Sequence, residues 1–248
     1  MTEMTQKVEH KGAGHRKRLR ERFLSGGLDG FHDYEVVELL LTMATPRKDC
    51  KEVAKTLLTR FDSLQGVLEA SSEDLIQVRG VGPVNLFGIK FIKAVAERYL
   101  KKKIIGKDAV RNSRELLDYL HLNMQDKDRE LFLVVFLNAK NRILACETLF
   151  EGSLTSSSVY PREVIKAAIG RQAAALIFVH NHPSGDPHPS SEDIAITRRL
   201  CFACNAIGIT VHEHLVIGDS HHYSFADNGY ISEFNREYGR QILSSSNG

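Results

Sequence analysis

The stretch Leu176-Ile-Phe-Val-His-Asn-His-Pro-Ser-Gly-Asp-Pro-His-Pro-Ser-Ser-Glu-Asp193 decides how the chain folds. An apolar run bounded by turn residues reads as a buried strand over about 175–179, and the Ser and acidic residues after the loop suit the start of a helix. The surrounding sequence repeats this alternation. Residues 131–137 and about 143–150 read as strands around a turn at 138–141, residues 112–123, 162–169 and 191–206 as helices, and residues 210–217 as a further strand. Strands interleaved with helices imply an α/β layer fold for this half.

Upstream, residues 14–100 show no strand-like alternation. Residues 15–23 are basic and amphipathic, 34–43 carry Val36, Val37, Leu39, Leu40 and Leu41 at helical spacing, and 50–61 repeat the pattern with Val53, Leu57 and Leu58. Ser71 or Ser72 then caps a short helix with an acidic first turn, Gly80 ends it, and Pro83 opens a second helix reaching about Leu100. Two domains are expected: an all-α helical bundle over 1–104, with a helix-hairpin-helix element at about 71–100, and an α/β domain over 105–248. The lysine-rich stretch 101–107 reads as the hinge between them.

Composition agrees with packed domains, at 42% hydrophobic and 26% charged residues with 6 Pro in 248. The longest apolar runs, 131–137 and 173–179, are too short to span a bilayer, and the first residues carry no export signal. Four cysteines in a chain of this length make no disulfide framework, so a reducing cytoplasm is the expected compartment and no membrane the expected partner. The net charge of +2 hides an asymmetry: residues 1–107 hold 20 Lys and Arg against 14 Asp and Glu, the remainder 13 against 17. The basic half is the better candidate for an anionic partner such as DNA.

His180 and His182 stand two residues apart at a strand end, so both imidazoles leave the same face and can meet one cation. Asp193 falls in the first turn of the next helix, and the loop bounded by Pro183 and Pro189 can return its carboxylate to the pair. Three N/O ligands leave a fourth position open, the arrangement of a catalytic zinc, one per chain. Zinc lowers the pKa of a bound water toward about 7, and such a site then needs a base and an oxyanion donor.

The spacing His180-x-His182, seven residues, Ser190, two residues, Asp193 resembles the JAMM signature of MPN+ metalloproteases. With the longer His-Asn-His-Pro-Ser-Gly-Asp-Pro-His-Pro-Ser-Ser-Glu-Asp stretch and the helical first half, the chain is similar to the RadC family (UPF0758) over nearly its whole length. That resemblance implies a JAMM/MPN domain, a mixed β-sheet flanked by helices and cytidine-deaminase-like in fold. It implies zinc on His180, His182 and Asp193, with Ser190 helping to stabilise a tetrahedral oxyanion. It also implies a general base at the start of the first core strand, which here matches Glu130. Glu147, Glu151 and Glu163 are rivals, and Glu130 is preferred because a strand start holds a base rigidly. The implied activity is hydrolysis of an amide, peptide or isopeptide bond in a protein or peptide. The alternative is a DNA-binding accessory factor for repair or recombination, the processes with which the family is associated, its metal site structural or acting on nucleic acid. Nucleobase deamination is a poorer variant, since His-x-Glu with Pro-Cys-x-x-Cys is absent. The oligomeric state is not legible.

Each feature also has a plainer reading. An isolated His-x-His is more often one packed and one carbonyl-bonded imidazole, a reading that Asp193 and the Pro-Ser-Gly loop reverse. Ser190-x-x-Asp193 reads as a helix-capping box too, and a capping Ser can coexist with a metal-facing Asp in one turn. Gly80-Val81-Gly82 is either an ordinary turn or an anion site for a DNA phosphate, with Lys90, Lys93, Lys101, Lys102 and Lys103 as further contacts. Cys201-x-x-Cys204 reads as buried small residues. His212-Glu213-His214 repeats the two-residue spacing as a decoy zinc pair; the family usually shows Asp where Glu213 stands, and His214 is read as supporting a ligand or packing. His221 and His222 read as solvent-facing turn residues, and Arg162 as a helix anchor or a residue near the substrate.

Overall fold

Apolar side chains three and four residues apart cover one stripe of a helix, and such stripes bury each other. In the computed structural model of the chain, which describes residues 13–45, 49–125, 127–152, 159–219 and 221–245, they do so across the first of two compact units, residues 1–96 and 97–248. Its helices are α1 (Ala13–Gly26), α2 (Asp33–Ala44), α3 (Lys51–Phe61), α4 (Leu64–Glu69), α5 (Ser72–Ile76) and the first part of α6 (Pro83–Ile104). Val37, Leu41, Ala54, Leu57, Val67, Leu75 and Ile89 form the core. Ser63 caps α4, a helix not expected from the sequence, by accepting the Gly66 amide at 2.9 Å, and Ser71 caps α5 by accepting the Asp74 amide at 3.0 Å.

The turn between α5 and α6 depends on Gly80. Its φ is +101°, and a Cβ there would lie 2.6 Å from Cγ2 of Val53, so only glycine lets the turn lie against α3. Contrary to the hinge expected at 101–107, α6 runs unbroken to Ile104, because the three lysines continue a helix whose last residue is buried.

Strands buried on both faces need no polar alternation, and residues 131–137 and 175–181 have none. They form β1 (Leu131–Leu137) and β3 (Ala175–Asn181) of a five-stranded sheet completed by β2 (Ile143–Glu151), β4 (Thr210–Ile217) and β5 (His222–Ser224), ordered β2-β1-β3-β4-β5. β3 and β4 run parallel and the other pairs antiparallel, so the sheet is mixed. Phe132, Val134, Phe136, Leu176 and Phe178 face α8 (Pro161–Gly170), α9 (Ser191–Asn205) and α10 (Tyr230–Ser245). Leu133, Val135, Leu137, Ile177 and Val179 face α7 (Ser113–Met124). The short β5, which holds His222, and the helix α10 were not expected from the sequence.

One irregularity matters for the site. Leu176 pairs with Val211 but Ile177 pairs with Glu213, so His212 is an extra residue on β4. A bulge of this kind shifts side-chain alternation by one. Val211 and Val216 consequently share the face of Phe178, and His214 joins them there. His212 instead bonds Asn141 at 2.8 Å and lines, with Glu213, Leu215 and Ile177, a cleft on the opposite face. Among the described residues no helix is long and apolar enough to cross a membrane.

Candidate metal centre

His180 is the penultimate residue of β3, fully buried on the face of α9; His182 follows just past the strand end and is partly open. Asp193 lies in the first turn of α9, 3% exposed. The three converge. Nε2 of His180 is 3.1 Å from Nε2 of His182 and 3.3 Å from Oδ1 of Asp193, and Nε2 of His182 is 3.3 Å from Oδ2 of Asp193.

The hydrogen bonds behind these atoms fix where their protons sit. A carbonyl only accepts, so Nδ1 of His182, 2.8 Å from the Asp186 carbonyl oxygen, carries that ring's hydrogen. The Thr197 hydroxyl has one hydrogen and lies 2.5 Å from the Asp193 carbonyl oxygen, to which it must donate. Its oxygen then accepts from Nδ1 of His214 at 2.6 Å, leaving Nε2 of His214 to accept from Nδ1 of His180 at 2.8 Å. In their neutral forms His180 and His182 therefore turn an unprotonated Nε2 toward each other and toward a carboxylate.

With both imidazoles neutral these three acceptors face one another without a donor and repel; a proton on Nε2 hydrogen-bonded to Asp193, or a metal cation between them, removes the conflict. The spacing also suits a metal cation. A tetrahedral ion about 2.0–2.2 Å from each ligand sets ligand atoms about 3.3–3.6 Å apart; here the two histidine nitrogens lie 3.1 Å apart, and each lies 3.3 Å from its own oxygen of the Asp193 carboxylate. His180, His182 and Asp193 are the group of His, Cys, Asp or Glu side chains among the described residues with ligand atoms near enough together to hold an ion.

The electrostatics point the same way. Burial pushes the Asp193 carboxyl up, but the hydrogen bonds with His180 and His182 outweigh it and hold the group far below the usual carboxylate range. Burial, the largest influence on His180, lowers its pKa against the pull of Asp193 and the weaker pull of Glu130. For His182 the Asp193 hydrogen bond outweighs burial and raises the pKa, with the Asp186 carbonyl and Glu130 adding to it. Burial and the neighbouring His180 keep His214 well below the ordinary imidazole value, hence neutral. Ser190 performs the capping role: its hydroxyl accepts from the Asp193 amide at 3.1 Å and donates to Oδ2 of Asp193 at 2.6 Å, while the Ser190 amide donates to the same oxygen at 2.8 Å. The capping box thus coexists in one turn with a carboxylate turned toward His180 and His182.

Residues 110–230 match the family model of the RadC-like JAB domain, and residues 11–87 that of the UPF0758 N-terminal region. A UPF0758 protein of Ruegeria pomeroyi is 44% identical over 217 residues, covering 88% of this chain and 97% of that one. The chain belongs to the RadC family. A UPF0758 protein of Rhodobacter capsulatus is 43% identical over 213 residues, 86% of this chain and 100% of its own. The RadC-like match spans every residue of the metal centre, and the expected architecture of a helical N-terminal region before a mixed sheet with flanking helices is the one found.

Within this RadC-like domain Glu130 directly precedes β1. Continuing the register of Phe132 and His180 by two residues would set Glu130 opposite His182, on the face of both ligands. Its carbonyl accepts the Gly152 amide at 2.9 Å. Of the rival glutamates, Glu147 forms a two-point pair with Arg171, Glu151 lies 3.9 Å from Arg129, and Glu163 lies 3.4 Å from Arg162. Arg162 also covers the ring of Tyr160.

The RadC N-terminal unit keeps much of its hairpin chemistry for itself. The Gly82 amide donates to Oδ1 of Asn85 at 3.2 Å, Nζ of Lys90 donates to the Ala70 carbonyl at 2.5 Å, and Lys93 is 4% exposed. Lys101, Lys102 and Lys103 are exposed on the last turn of α6, with Lys103 3.2 Å from Glu115. Cys201 and Cys204 are buried in the core of the JAB-like unit. His221 and His222 are exposed, although His222 opens β5.

Thr197 and Asn181 escaped the sequence reading. Thr197 stands one helical turn after Asp193, a spacing that allows its hydroxyl to reach back to the Asp193 carbonyl. Nothing local announces its bond to His214.

Proposed function

We propose that this chain is a zinc-dependent hydrolase of amide bonds, a metallopeptidase or isopeptidase of the JAMM type acting on a protein or peptide. The observation that carries the reading is the triangle of unprotonated Nε2 of His180, unprotonated Nε2 of His182 and the Asp193 carboxylate, closed on its deep side by Thr197 and His214 and open past His182. Two imidazoles and one carboxylate match the donor set of a catalytic zinc that keeps an open position. Bound there, zinc would supply Lewis acidity and a water ionisable near neutral pH.

In this reading Glu130 takes the proton from the attacking water and returns it to the leaving amine, as a base held rigidly at a strand start can. Ser190 turns its hydroxyl from Asp193 toward the developing oxyanion. Asp186, through its carbonyl, and His214 keep the two imidazoles in the tautomer that faces the ion.

A nucleic-acid accessory role draws less support, because the Gly82 amide and the Lys90 ammonium are bonded internally and Lys93 is buried. The test is proteome-derived peptides and isopeptide-linked conjugates incubated with zinc-loaded protein, with cleavage read by mass spectrometry. Cleavage that disappears in Glu130→Gln, while zinc stays bound, supports the reading. Cleavage that survives Glu130→Gln removes the base, and salt-sensitive DNA binding with no cleavage by the zinc-loaded chain favours the accessory role.

A further inference from the structure

We infer that Asn181 is a positioning residue that aims Glu130 at the metal centre; the inference rests on the base role proposed above. Asn181 stands between the two ligand histidines, yet its side chain turns away from them and is 1% exposed. Its amide makes three hydrogen bonds, all to one segment. Oδ1 accepts from the Leu131 amide at 2.8 Å, and Nδ2 donates to the Arg129 carbonyl at 3.2 Å and the Lys127 carbonyl at 3.4 Å.

These contacts bracket Glu130. The carbonyl before it and the amide after it are both held by one side chain on the strand that carries His180, while the Glu130 carbonyl is held by the Gly152 amide. In the antiparallel register Leu131 would pair with Asn181 through the backbone; the side chain takes over that bond at the point where β1 and β3 end. A strand-end tie alone needs only the acceptor. The two donor bonds to carbonyls upstream of Leu131 add what a tie does not require, a fixed path for the chain entering Glu130. Ligands and base are thereby referenced to a single three-residue stretch, His180-Asn181-His182, and an error of about 1 Å in such a group costs on the order of 100-fold in rate.

Asn181 touches neither the ion's ligand atoms nor the substrate, so its loss should leave metal affinity in place. This separates it from a residue supporting a ligand, whose removal costs roughly 10- to 100-fold in affinity. The experiment uses the full chain loaded with cobalt(II) as a spectroscopic probe, which needs no knowledge of the substrate. The pH midpoint of the cobalt visible spectrum is compared for the unaltered chain, Glu130→Gln, Asn181→Ala and Asn181→Asp, together with cobalt affinity and amide exchange over residues 127–132. The expected result is a midpoint displaced by Asn181→Ala in the same direction as by Glu130→Gln, with cobalt affinity retained and exchange accelerated over 127–132 alone. Asn181→Asp has the same size and keeps the acceptor for Leu131, but loses both donors; it is expected to behave likewise and serves if the alanine variant does not fold. A midpoint moved by Glu130→Gln but by neither Asn181 variant overturns the positioning role alone. A midpoint unmoved by Glu130→Gln overturns the base assignment and this inference together.

Discussion

Nδ1 of His180 lies 2.8 Å from Nε2 of His214, and both rings are fully buried. The link continues through Thr197 to the backbone of Asp193, so the Asp193 carbonyl sets the tautomer of the His180 ring. Thr197→Val keeps the shape and removes the hydroxyl. It is expected to weaken zinc binding by roughly 10- to 100-fold, measured by competition with a chromophoric chelator, with an unchanged circular dichroism spectrum. Unchanged affinity would show that the link does not set the tautomer.

The proton competes with the metal at His182. Its pKa in the folded, metal-free chain is raised by the Asp193 hydrogen bond, so its stabilising contribution is complete below about 6.5 and is lost as pH rises through the folded value. Zinc must displace that proton. Zinc affinity is therefore expected to climb with pH through and beyond about 6.5. At saturating zinc, about 100-fold over Kd, the stabilisation is about 2.7 kcal/mol, a rise in Tm of roughly 5–10 °C. The same zinc excess should raise Tm less at about pH 5.5 than at about pH 8, as calorimetry would show.

Gly80→Ala tests the turn in the helical unit. The added methyl meets Val53 in a backbone conformation that L-residues rarely adopt, and a loss of about 1–3 kcal/mol in urea unfolding is expected. The double variant Gly80→Ala/Val53→Ala should lose less than the sum of the single changes.

The four cysteines are free and buried, and burial pushes the thiols of Cys146, Cys201 and Cys204 up to about 12. Thiolate, the reactive form, is therefore scarce below that pH. Native protein should show no fast reaction with a disulfide reagent at about pH 8, and unfolding should release all the thiols for reaction. Fast labelling of native protein would contradict the burial.

Much of this was legible in the sequence because the signals were local. Apolar runs without alternation announced β1 and β3, and two-residue spacing at a strand end put His180 and His182 on one face. Ser190 and Asp193 announced a helix start. His212 and His214 share that same spacing, but the bulge at His212 breaks the rule and sends only His214 to the face of His180. A bulge is a property of strand pairing, and no residue of β4 declares it. The work of Asn181 was hidden for the same reason: its partners lie about 50 residues upstream. Of the 22-residue helix α6, read as far as about Leu100, only the last turn was missed, because the charge of its lysines read as a hinge although their helix propensity is high.

X-ray absorption at the zinc edge of the zinc-loaded chain tests the central claim most directly. The account predicts one ion with only nitrogen and oxygen neighbours at about 2.0–2.2 Å, two of them imidazoles, and loss of the ion in His182→Ala. A sulfur neighbour, a fourth protein ligand, or zinc retained unchanged in His182→Ala would contradict it.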